Sequence, residues 1–285
     1  MSHKQPQYIN LNGMLIDLST PRVMGILNLT PDSFFGGSRM QTAEQVVGRI
    51  EQMRNEGADM VDVGACSTRP GAQQPSLQEE MERLRKGLSL VREVWPEAVL
   101  SVDTYRSQVA RMCVEEFGVA IVNDISAGQM DGEMFPTVAQ LGVPYVMTHM
   151  QGTPETMQQQ PHYQHILKEV CLFFAKQIDA LRKLGAKDII LDPGFGFGKT
   201  LEHNYQLLAN LHELNLFDLP LLVGVSRKSM VYKLLETTPD EALNGTISLH
   251  TIALLKGANI LRVHDVKEAR QAVKIVGKLE ENLHI

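Results

Sequence analysis

The sequence predicts an α/β protein folded as a single (β/α)8 TIM barrel with an N-terminal β-hairpin. Short, nearly continuous apolar runs recur along the chain, the pattern of a parallel sheet covered on both faces. Longer amphipathic stretches separate them, among them 77–94, 107–117, 166–184 and 247–256. The 285 residues, 44% of them hydrophobic, suffice for one barrel of this kind, which commonly takes ~250 residues. No linker, low-complexity tract or charge block divides the chain, so residues 1–285 are expected to form one domain.

The hairpin is expected at about 8–18, where Tyr8-Ile9-Asn10-Leu11 and Met14-Leu15-Ile16-Asp17-Leu18 flank an Asn12-Gly13 turn. From Arg22 the rhythm changes. Eight strands are read at 23–28, 60–63, 99–103, 120–123, 145–148, 189–192, 221–225 and 259–263. A doubly wound sheet is the rival architecture, but its first strand should lead into Gly-x-Gly-x-x-Gly. Here Leu27-Asn28-Leu29-Thr30-Pro31-Asp32 follows instead. The run Gly194-Phe195-Gly196-Phe197-Gly198-Lys199-Thr200 resembles a phosphate loop, yet the position of its first glycine is Pro193 and it follows the sixth strand. Neither nucleotide reading stands.

A charged fraction of 21% and a net charge of -6 suit an ordinary soluble protein and argue against nucleic acid as a partner. A small anionic substrate remains compatible, since a local site can be basic on an acidic surface. The segment from Met1 to Asn10 is polar, unlike a signal peptide, and no apolar run approaches the ~18 residues of a membrane span. Cys66, Cys113 and Cys171 are far apart and never in a C-x-x-C pair, which argues against disulfides or structural zinc. A reducing, cytoplasmic location is expected.

Barrel enzymes build their sites at the carboxyl ends of the strands. Those positions here are Asn28, Ser67-Thr68-Arg69, Asp103, Asn123-Asp124, Thr148-His149, Asp192, Ser226-Arg227-Lys228 and Arg262-Val263-His264. Taken singly, such residues often cap helices or start turns. Together they imply a ligand rich in donors and acceptors with an anionic portion. Asp103, Asn123 and Asp192 suit the amino and ring N–H groups of a heterocycle, because carboxylates in a barrel mouth need donors. Arg69, Arg262 and His264 come from the second and eighth strands, expected to be neighbours on closure, and with Asn28 they suit phosphate oxygens. His162 and His165 stand three apart without an evident third metal ligand, and Cys66 reads as a small buried residue.

The ordered motifs resemble the dihydropteroate synthase family from about Arg22 onward. They are Met24-Gly25-Ile26-Leu27-Asn28-Leu29-Thr30-Pro31-Asp32-Ser33-Phe34, Ser67-Thr68-Arg69-Pro70-Gly71-Ala72, Ser101-Val102-Asp103-Thr104, Val122-Asn123-Asp124-Ile125, the run from Asp192 to Lys199, Ser226-Arg227-Lys228 and Arg262-Val263-His264-Asp265. The resemblance implies condensation of 6-hydroxymethyl-7,8-dihydropterin pyrophosphate with 4-aminobenzoate, a Mg²⁺ cofactor, sulfonamide binding and a homodimer. It implies that Asp103, Asn123, Asp192 and Lys228 grip the pterin. Asn28 would bind Mg²⁺, while Asn28, Arg69, Arg262 and His264 hold the pyrophosphate. Thr68, Pro70, Phe195 and Ser226 would shape the aminobenzoate pocket, and Asp103, Lys228, Arg262 and His264 would carry catalysis. Two departures from the family pattern are Gly64-Ala65-Cys66 before the second motif and Phe35-Gly36-Gly37-Ser38, which lacks an acid. The alternatives are a pterin-dependent methyltransferase and a catalytically silent pterin-binding paralogue.

Overall fold

The computed structural model describes residues 7–29, 43–66, 74–157 and 161–282. The chain opens with β1 (Tyr8–Leu11) and β2 (Met14–Asp17), then alternates: β3 (Arg22–Asn28), α1 (Ala43–Glu56), β4 (Met60–Gly64), α2 (Leu77–Val94), β5 (Leu100–Asp103), α3 (Ser107–Phe117), β6 (Ile121–Asp124) and α4 (Met134–Leu141). The second half continues through β7 (Tyr145–Thr148), α5 (Ile166–Lys183), β8 (Ile189–Asp192), α6 (Leu201–Ala209) and a 3-10 helix (Leu211–Phe217). It ends with β9 (Leu222–Val223), α7 (Ser229–Tyr232), α8 (Leu243–Leu255), β10 (Ile260–Val263) and α9 (Val266–Glu281).

The parallel strands run in the order β8-β7-β6-β5-β4-β3-β10-β9, and a single bridge between Leu191 and Leu221 joins the two ends. The barrel and the antiparallel hairpin are as expected. One adjacency is corrected: the second and eighth barrel strands, β4 and β10, are not neighbours, because β3 lies between them. Two boundaries also differ. The strand expected at 221–225 forms its ladder only at Leu222 and Val223, where the barrel closes. Helix α8 starts at Leu243 rather than 247. Its first turn holds Gly245, where a Cβ would come within 2.6 Å of Leu235 and Val231, so tight packing against α7 explains small residues that break the apolar period.

Period-2 alternation sorts the strands' side chains into two cores. Outward residues such as Val23, Leu27, Val61, Val63, Val102, Met147 and Leu261 pack against the helices. Inward residues Met24, Met60, Ile121, Val146, Ile190, Leu222 and Ile260 form a separate cluster with Ile9, Leu11 and Leu18 of the hairpin segment. The hairpin thus plugs the amino end of the barrel with apolar side chains. Two residues further along several of the same strands, the inward positions become polar.

Candidate functional site

Each inward strand leaves the apolar floor and reaches the mouth in steps of two. Ile260 is followed by Arg262 and then His264, Met60 by Asp62, Ile121 by Asn123, and Ile190 by Asp192. The strand registers align these groups, with Asp62 opposite Ser101 and Asp103 opposite Asn123. Arg262 is the centre of the arrangement. Its Nε donates to Asp62 Oδ2 at 2.6 Å, and its Nη2 donates to Asp103 Oδ2 at 2.7 Å. Asn123 Nδ2 donates to the same Asp62 oxygen at 3.0 Å. Burial raises the Asp103 carboxyl from its usual range, and the adjacent Arg262 charge opposes that rise.

Asp192 is 5% exposed and accepts from the Gly194 backbone N–H at 2.8 Å. Burial pushes its carboxyl up, countered first by the charge of Lys228. Lys228 follows β9, and its Nζ donates to the Phe195 carbonyl at 2.5 Å while lying 4.4 Å from the centre of the Phe197 ring. Burial lowers the Lys228 ammonium to about 8, with Asp192 pulling the other way. Ser226 is 4% exposed. It accepts from the His264 backbone N–H at 3.1 Å and lies 3.1 Å from His264 Nδ1. Burial, then the nearby Arg262 charge, holds His264 down to about 4, which favours the neutral ring. Asn28 ends β3 opposite Gly64, and its Oδ1 would lie 3.7 Å from a Cβ placed there.

The structure therefore brings together Asn28, Asp103, Asn123, Asp192, Ser226, Lys228, Arg262 and His264. Thr68, Arg69 and Pro70 lie outside the described residues, as does the Phe35-Gly36-Gly37-Ser38 segment. Phe195 has a side chain with 0% exposure packed in the outer core, so it reaches the mouth through its carbonyl. The acidic and basic sides expected from sequence are not separate, because Arg262 is itself the counter-ion of the acidic side. Asp62 was missed by reading strand ends alone. Its signal was an acid inside the apolar strand Met60-Val61-Asp62-Val63-Gly64, where an unpaired charge would be costly. The second Asp62 carboxylate oxygen and the Ser101 hydroxyl are buried without a hydrogen-bond partner among the described residues. Both sit on inward-facing positions.

Other strand-end residues serve structure. Asp124 accepts from Ser126 N, Ser126 Oγ, Gly128 N and Tyr145 Oη at 2.7–2.8 Å, knitting one loop together. Arg227 pairs with Asp265 through Nε and Nη2 at 2.9 and 2.8 Å, joining the loops after β9 and β10. His165 caps α5, its Nδ1 accepting from Lys168 N at 3.4 Å. Among the described residues, no group of three His, Cys, Asp or Glu is placed to hold a metal ion. Cys66 is half-buried against Glu80, and burial and that carboxylate push its thiol up, away from nucleophilic use. Glu80 in turn accepts from Thr104 Oγ1 at 2.7 Å and Arg106 Nη1 at 2.5 Å.

The plugged barrel carries a charged, inward-facing mouth at the carboxyl ends of its strands, where α/β-barrel enzymes build their sites. The chain belongs to the pterin-binding enzyme family, which it matches over residues 24–264, and within it to the dihydropteroate synthases. It is 45% identical over 269 residues to dihydropteroate synthase of Escherichia coli (strain K12), covering 93% of each chain. The crystal structure of Yersinia pestis dihydropteroate synthase with a sulfonamide drug complex superposes with a TM-score of 0.91 at 41% identity, over 96% of this chain and 100% of that one. Xanthomonas albilineans dihydropteroate synthase with 4-aminobenzoic acid gives a TM-score of 0.87 at 35% identity, over 97% and 99%.

Proposed function

We propose that the chain condenses 6-hydroxymethyl-7,8-dihydropterin pyrophosphate with 4-aminobenzoate, giving 7,8-dihydropteroate and pyrophosphate in folate biosynthesis. The observation that carries this reading is the polar layer of Asp62, Asp103, Asn123, Asp192, Lys228 and Arg262 above an apolar floor. It supplies acceptors for the amino and ring N–H groups of a pterin and cations for its carbonyl. Arg262 and His264 continue up the same strand toward the pyrophosphate, with Asn28 on the adjacent strand, and Arg69, which follows β4 in sequence, is assigned to the same group. Ser226, Thr68, Pro70 and the loop bearing Phe195 form the aminobenzoate side.

In the reaction the exocyclic C–O bond breaks and its electron pair leaves with pyrophosphate. The aniline nitrogen forms the new C–N bond and then loses a proton. No covalent enzyme intermediate is needed. The carboxylates of Asp62, Asp103 and Asp192 stabilise positive charge developing on the pterin, and Arg262 and His264 favour the departing anion. An aromatic amine is a modest nucleophile, and none of the residues assigned to the site acts as a base to sharpen it. C–O cleavage therefore runs ahead of C–N bond formation.

Mg²⁺ fits as a companion of the pyrophosphate rather than as a caged ion. Asn28 carries an amide oxygen at the end of β3, beside Gly64 and the Asp103 carboxylate that pairs with Arg262. Such a sparse oxygen set suits Mg²⁺, which keeps waters and takes substrate phosphates as ligands. Bound there, it would neutralise pyrophosphate charge.

The enzyme works in the cytoplasm as a homodimer on small-molecule substrates, with no nucleic acid or membrane partner. Exposed Ile252 and Leu255 on α8 and Ile275 and Leu279 on α9 support self-association, which sedimentation velocity tests. No helix among the described residues is long and apolar enough to cross a membrane. Sulfonamides compete with 4-aminobenzoate, presenting a similar aniline and polar group. The central test is dihydropteroate formation from the pterin pyrophosphate, 4-aminobenzoate and Mg²⁺. No product from folded protein would refute the reading. Slow pyrophosphate release without the amine is expected, and its absence over many turnover times would favour a concerted displacement.

A further inference from the structure

The glycine-rich run after β8 does not fit a phosphate loop, and its geometry points to another use. Lys199 at its end is 4% exposed. Its Nζ lies 2.9 Å from His149 Nδ1 and donates to the carbonyls of His149, Gly194 and Phe197 at 3.1, 2.9 and 3.0 Å. While charged, Lys199 offers three N–H donors and no acceptor, so its contact with His149 then requires Nδ1 unprotonated, with one N–H shared among the four acceptors. Burial and the Lys199 charge hold that ring well below its ordinary range, which keeps it neutral. Burial lowers the Lys199 ammonium to about 7, while the Asp192 carboxylate raises it.

This cage ties the loop after β7 to the loop after β8. The glycines permit the approach. A Cβ at Gly194 would lie 1.9 Å from the His149 carbonyl oxygen, and one at Gly198 would lie 2.4 Å from that of Gln151. Both residues have positive φ, 70° and 62°, which side-chain-bearing residues rarely adopt. The other side of the same loop holds Lys228, through the Phe195 carbonyl and the face of the Phe197 ring. Two lysines thus grip one loop, Lys199 from behind and Lys228 from the mouth.

We propose that Lys199 is a positioning residue, which sets loop 194–198 so that the Phe195 carbonyl and Phe197 ring aim Lys228 at the pterin. This rests on the assignment of Lys228 to the pterin ring. A lysine that merely staples the core would change stability without acting through Lys228, and a double-mutant cycle separates the two roles.

The experiment is calorimetric titration of Lys199→Met, Lys228→Met and the double variant with the unreactive oxidised pterin 6-hydroxymethylpterin, with thermal unfolding in parallel. Lys199→Met is expected to weaken pterin binding roughly tenfold, the scale of one charge-assisted contact. The double variant should bind no more weakly than Lys228→Met alone. In turnover, Lys199→Met should raise KM for the pterin substrate more than it lowers kcat. Losses that multiply in the double variant, or wild-type affinity in Lys199→Met, overturn the proposal. If Lys199→Met does not fold, Phe197→Leu keeps the cage and removes the ring beneath Lys228. It should weaken binding several-fold in the wild-type background and not in Lys228→Met, and an equal loss in both overturns the proposal. Wild-type affinity in Lys228→Met alone would refute the assignment of Lys228 itself, and this inference with it.

Discussion

The two ends of the barrel are made from the same strands and obey opposite rules. At the amino end, Met24, Met60, Ile121, Ile190 and Ile260 meet Ile9, Leu11 and Leu18 in a cluster of apolar side chains. Two residues along, Asp62, Asn123, Asp192 and Arg262 face the same axis as a hydrogen-bonded layer of charge. The floor is stable through non-directional burial, which tolerates many shapes of similar volume. The mouth is stable only while each charge keeps its partner, because an isolated buried ion is costly. Ligand chemistry is thus confined to one end, while both ends carry stability by different means.

The largest effect should come from breaking the mouth at its centre. Arg262→Ala strands two carboxylates at once, so a loss of about 3–5 kcal/mol is expected, with turnover abolished in the fraction that folds. Adding Asp62→Asn should restore part of the stability and none of the activity. Chemical denaturation of the single and double variants measures this, and no recovery would mean that Asp62 is satisfied in another way.

Leu18→Ala attacks the floor instead. Leu18 has 0% exposure, and a large-to-small change at such a site costs about 2–5 kcal/mol. Pterin affinity of the folded protein should stay within about twofold if the two ends are energetically separate. A parallel loss of affinity would show that the plug helps to shape the mouth.

Asp103→Asn keeps the shape and removes one charge. Pterin affinity should fall roughly tenfold or more, from about 1.5–3 kcal/mol for a charge-assisted hydrogen bond. Unchanged calorimetric affinity would remove Asp103 from the pocket.

A pH titration sharpens the contrast through Lys228. Its folded value of about 8 lies below its ordinary 10.5, so between those values the unfolded chain binds more protons. Its contribution to stability therefore rises with pH across that window. Pterin affinity should move oppositely, falling as pH rises through about 8 and the ammonium loses its proton. Lys228→Met should flatten this limb of the affinity profile, and a limb that persists would belong to another group. Cys66→Ser should have the smallest effect, leaving turnover within about threefold, because the thiol is pushed up and inert. Complete loss of activity in the folded variant would give Cys66 a role in the chemistry.

The barrel was legible because its signal is local. Strand period, helix period and the Asn12-Gly13 turn each lie within a few residues, and most element boundaries follow from them. The mouth residues were legible as strand ends. What remained hidden was long-range. Arg262 and Asp62 are separated by 200 positions in sequence, and they meet only because β3 sets the register between β10 and β4. Reading Arg262 with the anion side followed its charge, but barrel closure decides which carboxylates it faces.

Residue types and their period determined by themselves that the chain builds a parallel barrel with polar strand ends. Tertiary structure alone decided the partners: Arg262 between two carboxylates, Lys199 behind the loop that Lys228 grips, and Phe195 turned into the outer core. The physical reason is that apolar burial depends on which face a residue occupies, which the local period sets. A hydrogen bond or ion pair depends on a few ångströms between distant segments, which only the closed sheet supplies.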